Sequence, residues 1–365
     1  MENLSLHEMH RRLGARFSSI NGAQIVDGYE DVLKEYDALH DTAGVLDLSF
    51  RGRICLTGAE RVRFLHGQVT NDIKRLGVGE GCYAALTTAK GKLEADLNIY
   101  VLQEELLLDF EPALTERITQ RLEKYIVADD VQVVDVGAMY GLLSVQGPQA
   151  GAVLSKLGLF QDLSRLQNEL SFMRVAEVLL GEVYLMNQPR LATCGYDLFA
   201  PRTALQELAE KLVSSAKAVG GRPCGWQAFE MMRVERGIPR LGVDMDETNF
   251  PQECGIEERA VSYTKGCYIG QEVLNRIHTL GHVNKEFRGM RLADDLKSLP
   301  GKGDKLFLNE KEAGYITSVS HSPRLKRNMA LGYVRKEANT AGTELRWRNK
   351  EGGEGTARIV EVPFQ

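Results

Sequence analysis

Leu93-Glu94-Ala95-Asp96-Leu97-Asn98-Ile99-Tyr100-Val101 is the stretch whose reading decides the fold class. Leu93, Ala95, Leu97, Ile99 and Val101 face one way, and Glu94, Asp96, Asn98 and Tyr100 face the other. A period of two marks a strand with one apolar face. Residues 105–110 read as its hairpin partner. Pro112 suits the first turn of a helix that lines up Leu114, Ile118, Leu122 and Tyr125. Hairpins mixed with helices, rather than steady strand–helix–strand alternation, indicate an α+β fold and not a doubly wound sheet.

Outward from this stretch the same mixture continues. Val32, Leu33, Tyr36 and Leu39 repeat at helical spacing, residues 53–56 form a short strand, and Gly58-Ala59-Glu60 opens a helix through Val62, Phe64 and Leu65. Downstream, residues 142–145 form a strand that Gly147-Pro148 turns into a helix, residues 182–186 and 196–200 form strands, and 205–213 form a helix. From about residue 286 short β-like pieces alternate with Gly, Pro and Asn: 287–292, 314–320, 329–334, 344–348 and 356–362. That is a small all-β module of barrel or jelly-roll type. The domains expected are 1–46 with 140–285, then 47–139, then 286–365.

With 365 residues the chain has room for two or three domains. A net charge of −5 excludes an overall basic nucleic-acid binder. No apolar run reaches the roughly 18 residues of a membrane helix, so no membrane partner is expected. The six cysteines contain no C-x-x-C pair and read as reduced thiols of a cytoplasmic protein. Arg11, Arg12, Arg16, Ser18 and Ser19 have a transit-peptide flavour that Glu2 and Glu8 oppose.

The segment Lys265-Gly266-Cys267-Tyr268-Ile269-Gly270-Gln271-Glu272 precedes the helical stripe Val273, Leu274, Ile277. A helix beginning near Ile269 would set Cys267 at its N-terminus, where dipole and free N–H groups favour a thiolate, with Lys265 adding positive charge. The plainer reading is a buried structural cysteine. A metal set of Cys254, Cys267, His278 and His282 lacks a close cysteine pair, and Gly281 breaks the helix its histidines would share, so no metal is assigned.

This octapeptide resembles the K-G-C-Y-x-G-Q-E signature of the YgfZ-type folate-binding proteins, relatives of the glycine-cleavage T protein (aminomethyltransferase). The resemblance covers nearly the whole chain. Residues 41–49 resemble the "vGvfDvS" stretch, and Phe64 to Asp72 resemble the "fL…vTnD" helix exit. Leu142 to Pro148 resemble "l…vqGP", Gly242 to Glu247 the acidic turn "GqDmde", and Gly314 to Pro323 the barrel pattern. It implies a T-protein-like folate-binding fold of two interleaved α+β domains with a C-terminal all-β barrel. It also implies that Tyr83, Asp96 and Asp197 hold the pterin of tetrahydrofolate. Taken alone, Asp96 would be a solvated residue on a polar strand face; the resemblance makes it a carboxylate that orients an amine or shuttles a proton.

The family pattern is departed from in two places. The loop "TGYTGEDGfE" is shortened to Ala192-Thr193-Cys194-Gly195-Tyr196-Asp197, which sets an aspartate where the family has glutamate. An arginine expected after Arg222-Pro223 falls on Phe229. Lys265 and Arg276, with Lys285 and Arg288, are candidates to receive folate carboxylates. Arg324, Lys326 and Arg327 read as a solvated loop, and direct RNA binding is not expected.

The function expected is a tetrahydrofolate-binding accessory protein supporting iron–sulfur cluster enzymes or assembly factors, and through them tRNA modification, with Cys267 and Asp96 carrying the chemistry. The alternative is a tetrahydrofolate-dependent aminomethyltransferase working with a lipoyl carrier protein. A third possibility is a scaffold that kept the fold and lost folate.

Overall fold

The computed structural model describes residues 3–160, 162–296 and 298–365; Met1, Glu2, Gln161 and Lys297 lie outside them. The chain divides into two compact units. One holds the chain up to Ala84 together with Ala95–Phe229, and the other holds Ala85–Glu94 and Glu230–Gln365.

The first unit carries a six-stranded sheet in the order Phe172–Glu177, Gly181–Asn187, Gly195–Pro201, Tyr140–Gln146, Gly44–Asp47, Arg222–Pro223. All neighbours are antiparallel except the last pair. Helix Leu205–Lys217 buries Leu205, Leu208, Ala209, Leu212, Val213 and Ala216, one stripe at three- and four-residue spacing. It shares a core with Val153 and Leu154 of helix Ala150–Leu157 and with Leu143, Val145, Leu185 and Leu198 from the strands. A five-stranded sheet runs Gly81–Thr87, Leu93–Val101, Leu106–Phe110, Gly52–Thr57, Gln132–Asp135. The alternating stretch is thus a strand with the expected bounds, hydrogen-bonded to its expected hairpin partner. Helix Thr115–Glu123 buries Ile118 and Leu122 but starts three residues after Pro112, so the proline precedes the helix instead of occupying its first turn.

In the second unit six strands close a barrel in the order Lys285–Leu292, Arg327–Arg335, Lys311–Ser322, Lys305–Leu308, Glu344–Arg348, Glu354–Val360. The last strand pairs back to the first, Met290 opposite Ile359. Trp347, 1% exposed, fills the interior with Met290, Leu306, Ile316 and Leu345. The sequence reading found five of these strands and passed over Lys305–Leu308. Asp244 of the expected acidic turn is buried here: it takes Arg233 Nη1 at 2.8 Å, Thr317 Oγ1 at 2.5 Å and Ser318 Oγ at 2.7 Å. Its carboxylate anchors the turn to a barrel strand. No helix among the described residues is long and apolar enough to cross a membrane.

Candidate functional site

Strand Leu93–Val101 buries its apolar face as the alternation requires, with Leu93, Leu97 and Ile99 fully inaccessible. Its polar face is not solvated either. Asn98 and Tyr100 are buried, and Asp96 and Glu94 are half-buried. The solvated alternative for Asp96 therefore does not hold. Tyr83, on the neighbouring strand, donates its hydroxyl to Asp96 Oδ2 at 2.8 Å. Asp96 Oδ1 is buried without a hydrogen-bond partner among the described residues. Burial pushes the Asp96 carboxyl above its ordinary value and the charge of Glu111 adds to the effect; Tyr83 and Arg51 oppose it. The structure brings Tyr83 and Asp96 together.

Asn98 Nδ2 donates to Asp109 Oδ2 at 3.0 Å. Asp109, fully buried, also takes Arg51 Nε at 2.8 Å and Arg190 Nη2 at 2.9 Å. Arg51 reaches Glu111 as well, and Arg190 Nε donates to Asp197 Oδ2 at 2.8 Å. Two guanidiniums thus stand among four carboxylates, Asp96, Asp109, Glu111 and Asp197. Burial opposes ionisation of Asp109, but Arg51 and Arg190 overcome it and hold the carboxyl well below the usual range. At Asp197 burial wins and the carboxyl is pushed up; Arg190 opposes burial, and the charge of Asp109 adds to it. Asp197, expected to meet a pterin, is fully buried and already engaged by Arg190. Phe229, standing where an arginine was expected, is buried with its ring stacked on Trp226 at 4.8 Å.

Sequence reading passed over Arg51, Asp109, Glu111 and Arg190. One signal was available: Leu106-Leu107-Leu108-Asp109-Phe110-Glu111 sets carboxylates inside an apolar run, and a buried acid needs a buried cation.

Cys267, Lys265 and Arg276 belong to the second unit. The helix after the signature is Gln271–Leu280 with Gly270 as its N-cap, not a helix from Ile269. Cys267 lies four residues ahead of the first helical residue, and dipole effects fade within the first turn, so the helix end gives no reason for a thiolate there. The cause of the late start is Gly270, whose φ is +89° and whose missing Cβ would lie 2.6 Å from both Thr87 Oγ1 and the Thr88 carbonyl. Thr87 Oγ1 also donates to the Ile269 carbonyl at 2.8 Å.

Lys265 is buried with Nζ 5.0 Å from the Tyr268 ring. Burial pushes the Tyr268 hydroxyl up to about 12. Cys267 is exposed, which removes the buried structural reading, and Arg276 is exposed on the helix. Cys254 is buried against the Tyr333 hydroxyl at 3.1 Å, and Gly281 ends the helix between His278 and His282. Lys285 Nζ donates to the Tyr315 hydroxyl at 2.9 Å, and Arg288 bonds Asn339 and Glu286, so both are engaged within the barrel.

Residues 6–265 match the model of the GCVT N-terminal domain, and residues 285–365 match that of the glycine cleavage T-protein C-terminal barrel domain. Cys267 and Arg276 fall between the two matched spans. The chain is 29% identical over 366 residues to an aminomethyltransferase of Geobacillus thermodenitrificans, covering 100% of this chain and 98% of that one. It is also 29% identical over 378 residues to an aminomethyltransferase of Symbiobacterium thermophilum, covering 100% and 97%. Among solved structures, the glycine cleavage system aminomethyltransferase T of Bartonella henselae superposes with a TM-score of 0.89 at 24% identity, over 100% of this chain and 98% of that one. With both of its domains matched in order, this chain belongs to the glycine-cleavage T-protein family.

Proposed function

We propose that this chain binds a reduced folate and carries out tetrahydrofolate-dependent aminomethyl transfer, with Asp96 as the acid–base residue. The observation that carries this reading is the Asp96 carboxylate, fixed at one oxygen by Tyr83 and left without a partner at the other. A buried acceptor with no donor is costly, and a ligand N–H meets it once the carboxylate turns toward the ligand. The relatives named aminomethyltransferase, matched over their whole length, support the same reaction class. Tetrahydrofolate supplies the nitrogen that accepts the one-carbon unit. This chain's part is to orient that amine and hold its proton. Burial raises the affinity of Asp96 for a proton, which suits it to take one at a transferring nitrogen. Asp197 meets the pterin by exchanging its bond to Arg190 for one to the ligand. Within the second unit, exposed Arg276 is more available to an anionic group than buried Lys265. The donor of the aminomethyl group is a lipoyl carrier protein.

The test is ammonia release from an aminomethylated lipoyl carrier on adding tetrahydrofolate, beside a known aminomethyltransferase. Turnover is expected in wild type and a loss of about 100-fold or more in Asp96→Asn. A silent wild type with an active control overturns the reading.

A second reading is favoured by two specific observations: the apolar Phe229–Trp226 stack where an arginine was expected, and the exposed thiol of Cys267. In it folate is bound without turnover, and Cys267 serves iron–sulfur enzymes in the cytoplasm and through them tRNA modification. Tetrahydrofolate binding without ammonia release supports this reading. Turnover that survives Cys267→Ala removes it. Direct ligation of a cluster by Cys267 would show as charge-transfer absorbance after iron reconstitution that is lost in Cys267→Ala.

A further inference from the structure

Strand register puts Asp96 in a row of polar side chains that crosses the five-stranded sheet. Asn98 pairs with Asp109 and Ile99 with Leu108. Continuing this antiparallel register by two residues sets Glu111 opposite Asp96. On the other side Gly52 pairs with Phe110 and Arg53 with Asp109, which sets Arg51 opposite Glu111. The side chains follow the register: Tyr83 donates to Asp96 at 2.8 Å, and Arg51 Nη1 donates to Glu111. The order across the sheet is Tyr83, Asp96, Glu111, Arg51. Glu111 is 8% exposed and the Arg51 side chain 10%, so water does little to screen the charges of this row.

We propose that Glu111 and Arg51 are positioning residues for Asp96, Glu111 as a second carboxylate beside it and Arg51 as the cation that governs how strongly Asp96 feels that neighbour. The proposal rests on the reading of Asp96 as the acid of a folate site. Two adjacent carboxylates withdrawn from water do not ionise independently; a charge on one favours a proton on the other. Arg51 bonds Glu111 and Asp109, and among the described residues it does not bond Asp96. Its charge is spent on the neighbours, which leaves Asp96 as the member of the pair that takes and returns a proton.

The groups that face Asp96 are Tyr83 from the neighbouring strand, Glu94 and Asn98 from its own, and Glu111 and Arg51 across the sheet, with Asp109 and Arg190 one position further. Of the charged ones, Glu111 and Arg51 act on Asp96 in opposite directions.

The experiment reads Asp96 directly and needs no folate. Full-length protein with ¹³C-carboxyl-labelled Asp and Glu is titrated by NMR, and Asp96→Asn and Glu111→Gln assign the two signals. Glu111→Gln is expected to lower the Asp96 midpoint by about one pH unit, Arg51→Gln to raise it by about as much, and Arg51→Lys to restore it. An Asp96 midpoint that is the same in wild type and in folded Glu111→Gln overturns the proposal. The wild type is a second measurement that survives a variant's failure to fold. Coupling predicts that the Asp96 signal departs from a single-step curve, and a single-step Asp96 curve overturns the proposal. Failure of the folate reading looks different: coupled titration persists, yet wild type shows no binding to tetrahydrofolate.

Discussion

On the five-stranded sheet the charged groups of the row are themselves buried or half-buried. Asp109 is fully inaccessible between two guanidiniums, Glu111 is 8% exposed, and Asp96 has one oxygen on Tyr83. In the loop Lys265–Gly270 the arrangement is inverted: Lys265 and Tyr268 are buried, Gly270 is wedged against Thr87 and Thr88, and the thiol of Cys267 is outside. In the row, a substitution changes charge balance where water has little access, so charge and stability are not separable. In the loop, the frame and the exposed thiol belong to different residues and separate cleanly.

The largest way to break this contrast is Arg190→Met, which leaves buried Asp109 with Arg51 alone and takes the guanidinium from buried Asp197. A loss of about 3–5 kcal/mol is expected in denaturant unfolding. A loss below about 1 kcal/mol would mean the row is not the stability-critical region.

The same network has a pH signature. Asp109 is held below the ordinary ~3.9, so its pairing contributes stability above that pH and loses it as the pH falls toward the depressed value. Asp96 and Asp197, pushed up by burial, act oppositely: each contributes below ~3.9 and loses that contribution as the pH rises through its raised value. Asp109→Asn should therefore cost most near neutrality and progressively less below about pH 4; a cost independent of pH would contradict the assignment.

Next in size is the frame of the loop. Gly270→Ala introduces a Cβ at 2.6 Å from Thr87 Oγ1 and the Thr88 carbonyl in a backbone with φ +89°, and about 2–3 kcal/mol should be lost, seen as a drop in Tm. The smallest effect is expected at the tip. Cys267→Ser should move stability by less than about 0.5 kcal/mol, because the thiol is exposed. A large shift there would erase the distinction between buried frame and exposed thiol.

What was legible in the sequence follows the same line. Strand Leu93–Val101 and most barrel strands came from periodicity, because one face of each meets a local apolar core. The Tyr83–Asp96 pair was named through family resemblance. The rest of the row was hidden because Arg51, Asp109, Glu111 and Arg190 come together over long sequence separations, through strand pairing and a turn that carries Arg190, which a period of two does not encode. Lys305–Leu308 was missed as four residues among turn formers. The hairpin Arg16–Ile20 and Ala23–Gly28 was missed although Asn21-Gly22, both with positive φ, is a strong hairpin signal. The signature helix was expected to start near Ile269 and starts at Gln271, because Gly270 in the left-handed region is its N-cap.

Closure of the barrel has a consequence for self-association. A closed ring of six strands presents no open ladder of N–H and C=O groups for another chain to extend. The six-stranded sheet ends in Phe172–Glu177, an edge strand whose turn carries Val178 at 98% and Leu179 at 70% exposure. When this protein is heated or crowded, intermolecular strand addition should begin at that edge, and a lysine at Val178 would suppress it while leaving the barrel untouched.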